Sequence, residues 1–242
     1  MIRLWLVRAG KGGERETAAL AQGLLAPGFI DVADLAQAKD RDAVLAKVTD
    51  AYPMEGENAR KNFAAQLNQF RNTISVGDLV VMPRKQTPGV AIGRVTGPYA
   101  YVADPALRHV RNVEWLSTDV PRTALKQDLR HSLGAFMTIC EISRNEALKR
   151  MEAVIGTGQD PGPSLALPKA AKVGVHPDGA TEADEAPTDL EDLASQQLIA
   201  LIMSEFAGHG LAQLVGEILR ADGYSVRVSP PGPDESMQDR GG

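Results

Sequence analysis

Residues 77–83 read GDLVVMP, residues 89–102 read GVAIGRVTGPYAYV, and residues 111–116 read RNVEWL. Val, Ile and aromatic side chains crowd these runs, and Pro, Gly and charged clusters separate them. They are predicted to be strands of an antiparallel set around one core. Toward the amino end, MIRLWLVRAG (1–10) alternates apolar and polar residues as a half-buried strand does. NARKNFAAQLNQFRNTI (58–74) spaces Phe63, Leu67 and Phe70 as one face of a helix that ends before Gly77. Toward the carboxyl end, SLGAFMTICEI (132–142) fits either strand or helix. ISRNEALKRMEAVI (142–155) is predicted as a helix with Ala147, Met151 and Ile155 on one face, closing an α+β domain over residues 1–155.

At 242 residues the chain is long enough for one large domain, or a medium domain and a smaller one. No apolar run approaches the roughly 20 residues that cross a bilayer, and Arg3 interrupts MIRLWLV. A soluble, cytoplasmic chain with no membrane partner is expected. The single Cys140 lies in an apolar run and is expected to be a buried structural thiol, and four scattered His give no Cys-rich zinc site. Residues 1–155 carry 21 basic against 17 acidic residues, whereas 156–242 carry 5 against 14. The overall charge of -5 therefore hides a basic middle, where Arg60, Lys61, Arg71, Arg84, Lys85, Arg94, Arg108 and Arg111 face only Asp78 and Asp104. Such a stretch suits phosphates, and it equally suits an ordinary solvated surface.

Residues 156–189, GTGQDPGPSLALPKAAKVGVHPDGATEADEAPTD, have no periodic apolar face and are predicted to be an acidic, flexible, disordered linker. Beyond it, TDLEDLASQQLIALIMSEF (188–206) opens with Thr188 and Glu191, a capping-box pair, and continues as an apolar stripe. GLAQLVGEILRADG (210–223) reads as a second amphipathic helix stopped by a left-handed Gly223, and YSVRVS (224–229) as a short strand. Two helices and one strand over 190–242 make an incomplete domain, because a lone strand leaves backbone groups unpaired. Its apolar stripes are a candidate surface for self-association.

WLVRAG, GDLVV, AIGRVTGPYAY and LGAFMTICEISRNEA, in that order, resemble the EVE and PUA-like superfamily, in the variant found at the amino end of Mrr-like restriction endonucleases. Trp5, Gly77, Asp78, Gly93, Arg94 and Val95 carry the likeness. It implies a pseudo-barrel with flanking helices whose cleft holds nucleic acid, and in some relatives an extruded, modified base. GHGLAQLVGEILRADGYSVRVSPPGPD (208–234) resembles the first helix and strand of the Mrr catalytic domain, of the PD-(D/E)XK nuclease class. That class needs a metal-binding Asp and a later catalytic Lys, because carboxylates hold the divalent ion at the phosphate and Lys positions water. Gln238 stands where the Asp is expected, Asp239 is one place late, and no Lys follows. No catalytic or metal-binding residue is assigned. Mg2+ enters only with a complete nuclease domain, as when a partner or longer chain supplies the missing strands. Glu217 and His209 are expected to be a surface helix residue and a turn residue.

The expected activity is recognition of DNA, either through a modified base or in general, in a bacterial defence system, with an RNA-binding module as the alternative. Extruding a base loses a few kcal/mol of stacking, which aromatic faces and hydrogen bonds must replace. Trp5, Tyr99, Tyr101 and Trp115 are the candidate rings, each able to contribute roughly 1–3 kcal/mol. Arg8, Lys11, Arg84, Lys85 and Arg94 are the candidate phosphate contacts. Tyr99 and Tyr101, two apart after a predicted Gly-Pro turn, project to one face, whereas both tryptophans lie in apolar strands and suit core packing equally. RAGKGGE (8–14) lacks the spacing and ending of a phosphate loop.

Overall fold

A computed structural model describes residues 2–134, 137–163 and 209–228, together with Leu198, Ile202 and Phe206. The chain divides into two compact units, residues 1–189 and 190–242.

The first unit is α+β. Six strands, β1 (Leu4–Val7), β2 (Leu24–Leu25), β3 (Leu79–Pro83), β4 (Gly89–Tyr101), β5 (His109–Pro121) and β6 (Ile139–Glu141), form one curled sheet in the order β2-β5-β4-β3-β1-β6. Around it lie α1 (Glu16–Gln22), α2 (Arg41–Ala51), α3 (Glu57–Asn68), α4 (Gln127–Leu133) and α5 (Ala147–Thr157). The three strands read from the central runs form the antiparallel ladder β3-β4-β5, but β1 joins β3 in parallel, Leu4 opposite Leu79.

The expectation of a half-buried first strand around a single core is overturned. Leu4, Trp5, Leu6 and Val7 are all buried, because helices cover both faces of the sheet centre. On one face Leu4, Leu6, Leu79, Val81 and Ile92 pack with Leu129 and Leu133 of α4 and Met151 and Val154 of α5. On the other, Trp5, Val7, Val80, Val95 and Val113 pack with Phe70 and Ile74, beside a layer of Val44, Val48 and Leu67 from α2 and α3. Strands covered on both sides read as continuous apolar runs, which is why LWLV and LVVM lack polar positions.

The 58–74 segment is helical but not uniform. After Asn68 it widens into a π turn at Gln69–Thr73. Its terminal carbonyls are capped by arginines: Arg111 donates from Nε to Phe70 O at 2.7 Å and from Nη2 to Arg71 O at 3.1 Å, and Arg3 donates to Thr73 O at 2.6 Å. Cations suit this helix end, where unpaired carbonyls gather negative potential. SLGAFMTICEI splits into the end of α4 and the edge strand β6, with Cys140 buried as expected.

Packing continues beyond residue 155. Asp160 is buried with Arg150, whose guanidinium donates to both Asp160 oxygens at 2.8 and 2.6 Å and to both Asp128 oxygens at 2.6 and 2.9 Å. The rest of the predicted linker, from Ser164, lies outside the described residues.

In the second unit α6 (His209–Ala221) is amphipathic, with Val215 and Ile218 exposed. Gly223 follows at φ 92, the left-handed stop expected. His209 begins the helix rather than forming a turn, and Glu217 pairs with Arg220 on its surface at 2.6 Å. The predicted strand at 224–229 is corrected over its described part: Tyr224–Val228 is not a strand, and Val226 instead gives its carbonyl to Arg220 Nη2 at 3.1 Å. No strand lies among the described residues of this unit to pair with it. The predicted helix at 188–206 lies almost wholly outside the described residues. No helix among the described residues is long and apolar enough to cross a membrane.

Candidate nucleic-acid interface

The nine residues nominated from sequence do not line one cleft. Gly89, whose carbonyl accepts the Arg84 N–H at 3.0 Å, begins β4, and Tyr99 lies ten residues further along it. At about 3.3 Å per residue, roughly 30 Å of strand separates them. The tyrosines and the Arg84–Lys85 pair therefore occupy opposite ends of β4.

At the Arg84 end, two loops meet over Glu16. This carboxylate is buried at the start of α1 and accepts the backbone N–H groups of Lys85 and, at 3.3 Å, Gln86, with Arg84 Nε 3.8 Å away. Gln86 returns a bond to Gly13 O at 3.2 Å. Gly13 is at φ 79, and a Cβ there would stand 2.3 Å from Glu16 Oε1, so only glycine fits between the loops. Lys11 is exposed at the tip of the first loop. Arg84 is tied inward, donating to Thr118 O at 3.3 Å and Asp119 Oδ1 at 3.2 Å. Trp115 packs beside this end against Ala9, Ala19, Met82 and Ala91, and its indole N–H donates to Ala19 O at 3.1 Å. Its ring lies over Gly93, where a Cβ would come within 2.9 Å of Cε3. Trp115 is half-buried and packs on two parts of the core.

Two nominations are corrected outright. Trp5 is fully buried and its indole N–H donates to Asp78 Oδ2 at 2.9 Å, so no base can stack on it. Arg8 is 7% exposed and reaches Leu133 O at 3.4 Å, so it holds α4 to the sheet instead of meeting solvent. Arg94 donates to Gly77 O at 3.1 Å and braces the turn that opens β3.

At the far end of β4, Tyr99 and Tyr101 do share a face, and both meet His109. Tyr101 stands edge to the imidazole at 5.2 Å between ring centres, and Tyr99 lies tilted against it at 5.9 Å. Each tyrosine carries an arginine over its ring, Arg71 at 5.4 Å for Tyr99 and Arg108 at 5.7 Å for Tyr101. Arg71 donates to the carbonyls of Leu35 and Ala36 at 3.0 and 2.7 Å, and Arg108 to Tyr101 Oη at 2.7 Å. Neither has a carboxylate within ion-pair distance among the described residues. Carbonyl dipoles satisfy the N–H groups without cancelling the charge, and the Asp34 carboxylate stands on the same face, its Oδ1 3.4 Å from the Tyr99 hydroxyl. Burial and the charge of Arg71 push the neighbouring Arg111 down to about 10. Burial likewise pushes the Tyr99 phenol up and the His109 imidazole down, leaving both neutral near pH 7.

Sequence reading found the two tyrosines from their spacing but missed Arg71, Arg108 and His109. The arginines stood within the basic run, undistinguished by any pattern, and His109 is separated from Tyr99 by a turn that only β4–β5 pairing closes.

The fold and this aromatic, cationic end define an α+β chain with one curled sheet and flanking helices. Residues 5–143 match the family described as Domain of unknown function (DUF8426), and the chain belongs to that family. No curated protein and no solved structure matches it.

Proposed function

We propose that this chain is a nucleic-acid-binding module that reads a modified base in DNA as part of a bacterial restriction system, with the first unit a PUA/EVE-like pseudo-barrel. The observation that carries this reading is the pairing of Tyr99 with Arg71 and of Tyr101 with Arg108 on one face, neither cation in an ion pair among the described residues. Aromatic faces replace the stacking an unpaired base loses, and unneutralised guanidinium groups attract the phosphates on either side. The likeness to the Mrr-like amino-terminal domain supplies the substrate class and the defence setting, and the likeness of 208–234 to the start of a PD-(D/E)XK domain supplies the context of a nuclease. In this reading the tyrosine end, and not Trp5, receives the base.

Fluorescence anisotropy of the full chain with single-stranded and duplex oligonucleotides, plain and carrying methylated or hydroxymethylated cytosine, tests the reading. Salt-sensitive binding that prefers one modification, and falls about tenfold in Tyr101→Ala, supports it. Equal retention of every oligonucleotide removes base reading, and preference for RNA of the same sequence moves the module to the RNA-binding alternative. Metal-dependent nicking by the purified chain replaces the reader with a nuclease.

A further inference from the structure

We infer that Arg108 is the cation that contacts the phosphate of a nucleotide stacked on Tyr101, an inference that rests on the nucleic-acid reading of this face. Among the described residues, four other than glycine have left-handed backbones: Phe29 (φ 56), Arg108 (φ 53), Asn145 (φ 57) and Glu146 (φ 53). The last two precede α5. Of the first two, Arg108 is the chain neighbour of His109, whose ring meets Tyr101. Glycine or asparagine adopts this conformation readily, whereas a long side chain is disfavoured there. The sequence nevertheless places Arg at 108.

The strained residue closes the β4–β5 turn. Arg108 O accepts Val102 N–H at 2.8 Å, and Arg108 N–H donates to Asp104 O at 3.0 Å. The acid of this turn, Asp104, accepts Ala106 N–H through Oδ1 at 2.9 Å and forms no ion pair with Arg108. From the far side Arg15 Nε donates to Ala106 O at 2.6 Å, fixing the loop. The result is a guanidinium held over the Tyr101 ring by one bond from Nη1, on a pinned turn, with no carboxylate in ion-pair contact among the described residues. Closing the turn requires only a left-handed backbone, which glycine supplies; the arginine side chain adds a fork beside an aromatic face. A phosphodiester fits that fork while its base lies on the ring.

The test uses the full chain and a labelled single-stranded oligonucleotide, titrated from roughly 50 to 200 mM salt, with Arg108→Gly and Arg108→Lys. Arg108→Gly is expected to weaken binding about tenfold and to reduce the slope of log K against log salt by about 0.7, one single-strand phosphate contact. Its thermal midpoint should equal or exceed the parent's, because glycine relieves the strain. Arg108→Lys should restore the slope but only part of the affinity, since lysine lacks the planar fork. An unchanged slope in Arg108→Gly overturns the inference and leaves the nucleic-acid reading standing, as does a lowered midpoint with unchanged slope, which marks a structural residue. A parent chain that binds no oligonucleotide at any salt overturns both.

Discussion

The Tyr99 hydroxyl lies 2.8 Å from Nδ1 of His109, and the opposite ring nitrogen, Nε2, lies 3.1 Å from the carbonyl of Val32. A carbonyl only accepts, so Nε2 carries the proton and Nδ1 is left as an acceptor facing the Tyr99 hydroxyl, which also lies 3.4 Å from Asp34 Oδ1. The same hydroxyl accepts the Leu35 N–H at 3.1 Å, and Arg71 holds the next two carbonyls of that loop. A neutral histidine thus fixes the tyrosine face to the 29–38 loop, and the face is pre-organised rather than assembled by ligand.

The pH dependence of stability follows from this arrangement. Burial first, with the charge of Arg108 adding to it, holds His109 below its ordinary value, against opposing backbone hydrogen bonds and the charge of Asp34. Tyr101 also packs on the ring, and Tyr99 separates it from Arg71. The unfolded chain therefore takes up the proton first as pH falls. Stability from this residue is complete above the unfolded value, roughly 6.5, and is lost below it by about 1.4 kcal/mol per pH unit until the folded value is reached. Urea unfolding at pH 7 and pH 5 should show a larger loss for the parent than for His109→Gln, which cannot titrate. Equal losses would mean that the proton enters without disturbing the fold.

Asp160 makes the opposite-charge case. Burial alone would raise its carboxyl, but Arg150 and the N–H groups of Lys126 and Gly162 bond to it and hold it at about 2. Its folded value is depressed, so its contribution is present above the unfolded value, roughly 4, and disappears as pH falls toward 2. Asp160→Asn leaves the buried Arg150 with only Asp128 and should lower stability at pH 7 by about 2–3 kcal/mol. Chemical denaturation at pH 7 and near pH 2 checks both parts, since the difference between parent and variant should shrink in acid.

Strand signals in the sequence survive in the fold because β-branched runs act locally: β3, β4 and β5 cover the runs that were read, β5 extending past both ends of its run, whereas α5 begins only at Ala147 and the Gly-Pro turn expected before Tyr99 lies inside β4. Features that depend on distant partners were not legible. The parallel join of β1 to β3 links residues 75 positions apart, and the Arg150 clamp gathers Asp128 and Asp160 from two other segments. Helix α2 carried a local signal that was passed over, an Asp40 cap accepting Ala43 N–H with Val44 and Val48 one turn apart beneath it. At the candidate site the period of two placed Tyr99 and Tyr101 together, yet periodicity says nothing about which face a helix will cover. Trp5, Arg8 and Arg94 looked available for that reason, and the π turn with Phe70, α4 and the 75–77 turn took them.

Trp5 separates a ring that reads from a ring that supports. Its indole bonds to Asp78, whose carboxylate also accepts the N–H groups of Arg3 and Ser75 at 3.0 and 2.9 Å, so the side chain joins β1 to the turn before β3. Replacing it by Phe removes the indole donor and leaves part of a fully buried site empty, with an expected loss of about 1–3 kcal/mol in urea unfolding. Affinity of the folded variant for oligonucleotide should stay within twofold of the parent's, whereas Tyr101→Ala should weaken binding with little change in unfolding. Reversed behaviour, with Trp5→Phe impairing binding at unchanged stability, would return the ligand to the centre of the sheet and displace the tyrosine face as the site.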